Sequence, residues 1–122
     1  MAVLGTLVVA SLATATPNGL SADQRLRILE EAQTAYAEGV DLAATDGPRA
    51  IGSFKEAARR YEQLATDGVR NGFLYYDLGN AYLQARDIGS AILWYRRAGR
   101  LVPGDPRLEH NLATARSLCR DR

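Results

Sequence analysis

The sequence is poor in residues that hold metal ions, form disulfides or act as nucleophiles. Its 122 residues include one cysteine, Cys119, and one histidine, His110. A single cysteine excludes an intrachain disulfide and a zinc site built from several cysteines. No serine or cysteine lies at a convincing spacing from the histidine for nucleophilic catalysis, and no glycine-rich phosphate loop is present. We therefore expect a protein that is not an enzyme and has no catalytic residues, metal site or cofactor.

Aromatic residues are also scarce, at 7% of the chain, whereas 20 residues are alanine. Alanine has the highest helix propensity and is a poor strand residue. The composition therefore indicates helices that pack through small side chains.

Charge of one sign does not dominate, because the formal net charge is +1. This balance gives no general attraction to nucleic acid or to an anionic membrane. Residues 1–50 carry three Arg and six acidic residues, whereas residues 96–122 carry seven Arg and three acidic residues. A solvated helix surface is the simpler interpretation, and a patch for an acidic partner or for anionic lipid is the alternative.

An apolar stretch without charge occupies residues 2–13 and is followed by small residues and Pro17. An apolar segment of about 7–15 residues before small residues is typical of a secretory signal, whereas a membrane-spanning helix needs about 20 apolar residues. We predict that residues 1–20 form a signal peptide or N-terminal apolar segment, although no Lys or Arg precedes the stretch. The protein would then be exported, periplasmic or membrane-associated, with a cytoplasmic location as the alternative.

Five helices are predicted over residues 21–122, since no window alternates apolar and polar residues as a strand would. Capping boxes at Ser21–Gln24 and Ser53–Glu56 predict where the first two helices begin. The other three helices are expected over about residues 72–85, 88–101 and 106–120.

The last helix follows a turn in which Gly104 can adopt a positive φ and Asp105 can cap. Its apolar face consists of Leu108, Leu112, Ala115 and Cys119. A cysteine on this face is expected to be a buried thiol of the core.

Residues 72–105, a segment of 34 residues, resemble a tetratricopeptide repeat (TPR). The residues that match its signature positions are Tyr75, Leu78, Gly79, Tyr82, Ala91, Tyr95, Ala98 and Pro103. Gly79 and Ala91 are small where two helix backbones should approach closely. Arg86, however, stands at a turn position where the family usually has Gly. That turn is therefore expected to be strained or differently shaped. The resemblance implies an all-α fold of antiparallel helix pairs in a right-handed TPR-type solenoid of about five helices.

Residues 22–66 match the repeat less well. The residues that fit second-helix positions are Phe54, Ala57 and Tyr61. Gly39 fits either of two glycine positions of the first helix, and an insertion near residues 40–52 is needed. Residues 106–120 resemble the first helix of a third repeat, which would cover the apolar end of the stack. The TPR-like domain over residues 21–122 would thus have a degenerate repeat, a clear repeat and a closing helix.

The chain from about residue 28 to residue 120 also resembles the repeat region of the bacterial Bat aerotolerance family, the BatE-like proteins. Repeats of that family lie in the cell envelope and are encoded with von Willebrand A-domain proteins and a MoxR-type ATPase. The resemblance implies a non-catalytic adaptor or scaffold of the cell envelope that binds a protein or peptide partner, with an envelope complex and membrane proximity as further implications.

In a TPR stack, the first helix of each pair lines a concave groove that binds extended peptides. The groove positions implied by the resemblance are Phe73, Tyr76, Asp77, Asn80, Leu83, Gln84, Arg107, His110, Asn111 and Thr114. Asn80 would either hydrogen-bond a bound peptide or be a solvated residue. Tyr76 stands where the carboxylate-clamp version of the family has Lys, so we do not expect capture of a C-terminal carboxylate.

Two other functions are kept as alternatives. The runner-up is a self-associating helical module, in which the exposed end of the stack pairs with a second copy. The third is a basic-patch binder of nucleic acid or lipid, and nucleic acid is disfavoured because the repeat signature uses the aromatic residues. Trp94 fits either a cover over a neighbouring helix or an exposed contact.

Overall fold

The computed structural model describes residues 19–120. The predicted signal peptide or apolar segment, residues 1–20, therefore lies outside the described residues except for its last two. Within the described range the chain forms five helices and no strand, which confirms the all-helical prediction. The helices are α1 (Ala22–Leu42), α2 (Gly47–Thr66), α3 (Gly72–Gln84), α4 (Ile88–Leu101) and α5 (Pro106–Arg120). Among these helices none is long and apolar enough to cross a membrane.

Side-chain caps fix the beginnings of α1 and α5. The backbone amide of Gln24 donates to Ser21 Oγ at 3.2 Å, and the amide of Ser21 donates to Gln24 Oε1 at 2.8 Å. This reciprocal pair is the predicted capping box. Asp105 accepts from the amide of Leu108 at 3.2 Å, and Gly104 has a φ of 79°, so the predicted turn before α5 is also confirmed.

The beginning of α2 differs from the prediction. The helix begins at Gly47, ahead of the predicted capping box at Ser53. Asp46 is the cap, since its side chain accepts from the amide of Arg49 at 3.2 Å, and Pro48 suits the first turn. The Ser53 prediction was wrong because an Asp-Gly-Pro sequence can start a helix as well as end the preceding one.

The turns that follow α2 and α3 have the same backbone geometry but a different residue at the position with positive φ. Gly68, after α2, has a φ of 93°, and Arg86, after α3, has a φ of 70°. In both turns, this residue and the next donate their amide hydrogens back to carbonyls of the last helical turn, which is the Schellman motif. Glycine adopts this conformation without a Cβ clash, whereas arginine does not. Of the two expectations for this turn, a different shape is wrong, and the positive φ of Arg86 agrees with strain.

Each of the first two helix pairs closes around a glycine that faces an aromatic ring. A Cβ added to Gly79 would lie 2.5 Å from the Tyr95 ring, and a Cβ added to Gly39 would lie 2.7 Å from the Phe54 ring. The two partners are 16 residues apart in one pair and 15 in the other. Gly39 thus corresponds to Gly79 with no insertion between the helices, contrary to the prediction. The close contact of Gly79 is with Tyr95 rather than with Ala91.

Small side chains fill the core, as the composition predicts. The alanines with no exposed surface are Ala32, Ala57, Ala81, Ala91, Ala98 and Ala115. Trp94 is buried and meets Tyr75 edge to face, with 5.2 Å between ring centroids, so it covers neighbouring helices. Cys119 is exposed, contrary to the prediction of a core thiol. The last buried residue of α5 is Ala115, and Cys119 lies one turn beyond it.

A buried ion pair ties the beginning of α1 to the end of α2. Arg25 Nε lies 2.7 Å from Asp67 Oδ2, and the amide of Leu20 donates to Asp67 Oδ1 at 3.0 Å. Burial alone would raise the pKa of Asp67, but the hydrogen bonds from Leu20 and Arg25 and the charge of Arg25 hold that pKa below its usual value. The pair therefore stabilises the ionised carboxylate in the folded protein.

Candidate functional site

Asn80 on α3 joins three helices through hydrogen bonds. Its Oδ1 accepts from the Tyr95 hydroxyl of α4 at 2.6 Å and from Asn111 Nδ2 of α5 at 2.9 Å. Asn111 Nδ2 also donates to the Tyr76 hydroxyl at 3.1 Å. Tyr95 has no exposed surface, so its hydroxyl needs this acceptor. The side chain of Asn80 therefore has an internal role as well as any role toward a ligand.

The same two amides leave polar atoms unused. Within residues 19–120, Asn80 Nδ2 and Asn111 Oδ1 make no hydrogen bond. Both residues are partly exposed. A donor and an acceptor lie side by side here because the two amides bond to each other, and an extended peptide offers the matching C=O and N–H groups.

Asp77 lies one helical turn before Asn80 on α3 and is mostly buried. Burial raises the pKa of Asp77 to about 7, and the positive charge of Arg107 lowers it by a smaller amount. Among residues 19–120, no side chain or amide forms a hydrogen bond or ion pair with this carboxylate. The described residues therefore do not compensate the charge of an ionised Asp77 at close range.

Tyrosines from four helices lie near this carboxylate. Burial, followed by the charge of Asp77, raises the pKa of Tyr36 to about 12 and raises the pKa of Tyr61 further. Burial also raises the pKa of Tyr95, with the charge of Asp77 as a minor cause. Tyr76 stacks in a tilted contact with Tyr95, 6.2 Å between centroids. The three shifted hydroxyls therefore stay neutral at physiological pH.

Tyr36 is a site residue that the sequence predictions missed. The first repeat had no settled register, so no α1 residue was assigned to the groove. The contact between Gly39 and Phe54 sets that register, and Tyr36 then precedes Gly39 by the three residues that separate Tyr76 from Gly79. The signal was present in the spacing of Tyr36 and Gly39, but only the packing of the two helices identifies it.

The other predicted groove residues lie in three kinds of environment. Arg107 lies over the Tyr76 ring, with 5.8 Å from its guanidinium carbon to the ring centroid. Phe73 and Leu83 pack against the core and are half-buried. The exposed residues outside the hydrogen-bond network are Gln84, His110 and Thr114. The hydroxyl of Thr114 donates to the His110 carbonyl within α5 itself at 3.1 Å.

Other surface features of the described residues are weaker candidates for a binding site. Two open depressions of about 570 and 720 Å³ flank α1 and α2 and are lined mainly by charged side chains. Arg60 already pairs there with Glu31 at 3.2 Å and with Glu56 at 2.9 Å. In the part of the chain that the structure describes, no three His, Cys, Asp or Glu residues lie together as metal ligands would.

No family profile, curated protein or solved structure matches this chain. Function is therefore inferred from two features of the molecule itself. One is the glycine–aromatic contact that recurs in both helix pairs, and the other is the tyrosine-lined surface around Asp77 and Asn80.

Proposed function

We propose that this chain is a TPR-like repeat module that binds an extended segment of a partner protein and performs no catalysis. The binding surface, called the groove below, is defined by Tyr36, Tyr76, Asp77, Asn80 and Asn111. The observation that carries the proposal is the unused donor and acceptor of the two amides, set beside partly exposed tyrosines. A right-handed, concave stack is part of the same proposal.

The repeated packing supports the TPR-like part of the proposal. Gly39 and Gly79 each meet an aromatic ring of the following helix at under 3 Å from a built Cβ. Successive units of a repeat protein bury their apolar faces against their neighbours, which is how α2 meets α3 and α4 meets α5 here. α1, α3 and α5 would then lie on one side of the stack.

The chemistry of the groove supports a peptide ligand. Tyrosine supplies a large contact area at a low entropic cost, since it has two side-chain torsions. The raised pKa of Tyr36, about 12, keeps its hydroxyl neutral, so the ring presents an uncharged face. The amides of Asn80 and Asn111 can then pair with the backbone of an extended segment.

The proposed location is the bacterial cell envelope, outside the cytoplasm. This location follows from the apolar pattern of residues 2–13 and from the resemblance to BatE-like proteins. Fractionation of cells that express the full chain, with N-terminal sequencing of the product, tests it. Recovery of uncleaved protein in the cytoplasmic fraction alone would contradict it.

The groove is tested by peptide selection on the full chain. Random nine-residue peptides are displayed, and the affinity of the selected peptides is compared between wild type and the double variant Tyr76→Ala with Asn111→Ala. The matched control is Leu93→Ala with Leu118→Ala, which truncates exposed residues outside the groove. Asn80→Ala is avoided because it would leave the buried Tyr95 hydroxyl without its acceptor.

We expect the groove variant to lose at least about tenfold in affinity and the control to lose less than about twofold. Circular dichroism melting verifies that both variants fold. Equal affinities in the two variants, or no selected peptide at all, would overturn the groove as the binding surface.

A further inference from the structure

We infer that the groove binds a lysine or arginine side chain of the partner segment, with Asp77 as its counter-ion among the tyrosines of α1 to α4. This inference rests on the proposed function and specifies the chemistry of the ligand. Its basis is the position of Asp77, its missing partner and the rings around it.

The carboxylate of Asp77 is largely withdrawn from water. It lies on α3 beside Tyr76 and one turn from Asn80, where the amide network joins α3, α4 and α5. The described residues provide it with no hydrogen bond and no ion pair. Buried carboxylates in proteins are ordinarily paired, so the observed arrangement leaves one position open for a cation.

Arg107, the cation of the described residues whose charge acts on Asp77, is directed elsewhere. Arg107 pairs with Asp105 at 3.6 Å and lies over the Tyr76 ring at 5.8 Å. Its charge reaches Asp77 only as a long-range effect that lowers the pKa of the carboxylate without pairing with it. The contact of Arg107 with Tyr76 also demonstrates that a guanidinium can lie against a tyrosine face at this surface.

The rings favour a cation over a neutral or acidic ligand. A cation within about 6 Å of a tyrosine face is attracted by the ring quadrupole, and the attraction grows when water is excluded. Tyr36 and Tyr76 are partly exposed, whereas Tyr61 and Tyr95 are buried. Long lysine and arginine side chains place an apolar stem along such surfaces while the charged end reaches the carboxylate. An acidic side chain would meet the charge of Asp77 and be repelled.

Asp77 itself makes the binding sensitive to pH, and the groups that face it come from four other helices. From α1, α2 and α4 they are Tyr36, Tyr61 and Tyr95, whose raised pKa values keep them neutral. From α5 it is Arg107, which stays charged. Since the pKa of Asp77 is about 7, its ionised fraction falls from about 0.9 at pH 8 to about 0.1 at pH 6. Affinity for a basic peptide should fall by about tenfold over this range.

The test uses the nine-residue peptides selected on the full chain. We expect a Lys or Arg at one fixed position of these peptides. Replacing that residue by norleucine, which keeps the length and removes the charge, should weaken binding to wild type by about tenfold. With the Asp77→Asn protein, the same change in the peptide should alter affinity by less than about twofold. The matched control protein is Glu109→Gln, an exposed position on α5, and it should respond to the peptide change as wild type does.

His110, the single histidine, is replaced by Gln in every protein of the pH series, so that the comparison isolates Asp77. Peptides that bind the groove without a basic residue would overturn the inference and leave the proposed function intact. The same holds if norleucine weakens binding equally in wild type and Asp77→Asn, or if affinity is unchanged between pH 8 and pH 6. Failure to select any groove-dependent peptide would overturn both proposals.

Discussion

Adding one methyl group at Gly79 should destabilise the protein, although the same change elsewhere in a helix should stabilise it. The built Cβ of Gly79 lies 2.5 Å from two atoms of the Tyr95 ring. That ring is fully buried, and its hydroxyl is held by Asn80 at 2.6 Å. Neither the ring nor the helix can move away without breaking a contact or a hydrogen bond.

The magnitude follows from two opposing effects. Replacing Gly by Ala within a helix contributes about 1 kcal/mol of stability through helix propensity. Overpacking a core costs about 1–3 kcal/mol, and the immobile Tyr95 ring favours the upper part of this range. Gly52 on α2 has nothing within 4 Å of its built Cβ. Gly52→Ala should therefore gain stability from helix propensity without the cost of overpacking. The two variants should therefore differ by about 2–3 kcal/mol in free energy of unfolding.

The free energy of unfolding of Gly39→Ala should lie between those of Gly79→Ala and Gly52→Ala. Its built Cβ lies 2.7 Å from the Phe54 ring, but Phe54 has no hydroxyl to anchor the ring. Guanidinium chloride unfolding measures the free energies of unfolding of the three variants and so tests this order. At about 4–8 °C per kcal/mol for a domain of this size, the first and last should differ by more than about 8 °C in Tm.

A double variant separates steric overlap from other effects. Gly79→Ala combined with Tyr95→Leu should cost less than the sum of the two single changes, because the smaller side chain makes room for the methyl group. If Gly79→Ala is as stabilising as Gly52→Ala, or if the double variant is strictly additive, then the close packing inferred at Gly79 is incorrect.

Four other substitutions have predictable effects on urea-induced unfolding. Arg86→Gly should stabilise the protein by about 0.5–1 kcal/mol, since it removes a Cβ from a positive-φ position. Gly68→Ala in the matching turn should destabilise the protein by about 1 kcal/mol for the converse reason. If the two variants change the free energy of unfolding equally, the strain assigned to Arg86 is contradicted. Arg25→Met should cost about 1–3 kcal/mol, because it removes the cation that pairs with the partly buried Asp67. The lowered pKa of Asp67 means that this contribution is present above about pH 4 and is lost at lower pH, so a constant difference from pH 2 to pH 7 would refute it. Asp77→Asn should stabilise the protein at pH 8 and have little effect at pH 4.

Local sequence signals predicted most of the helix boundaries. Ser21 and Asp105 each satisfy backbone amides of the helix that follows, so they specify its first turn wherever the helix packs. The beginning of α2 was mistaken because two capping sequences, at Asp46 and Ser53, compete within one segment. Both can cap in isolation, and only the tertiary packing of Ala50 and Phe54 decides that the earlier one is used.

The candidate site could be predicted only in part. The resemblance to a TPR places Tyr76, Asn80 and Asn111 among the predicted groove positions, and the structure brings them into one hydrogen-bond network. Three-dimensional packing was needed for the rest. The sequence does not reveal that Asn80 is shared with a buried hydroxyl, nor that Tyr36 joins the surface, because both facts depend on which faces of separate helices meet.

Asp77 connects the stability of the fold with its proposed function. The folded protein raises the pKa of this carboxylate to about 7, above the value of about 3.9 in an unfolded chain. The folded state then holds the proton more tightly, so stability falls as pH rises from about 4 to about 7, by an amount on the order of 2–4 kcal/mol. A bound cation would reverse this loss because it favours the ionised form. Asp77→Asn should therefore raise the Tm at pH 8 while it weakens binding of a basic peptide. A purely structural residue would not produce these opposite changes, and a loss of both stability and binding would assign Asp77 to the core instead.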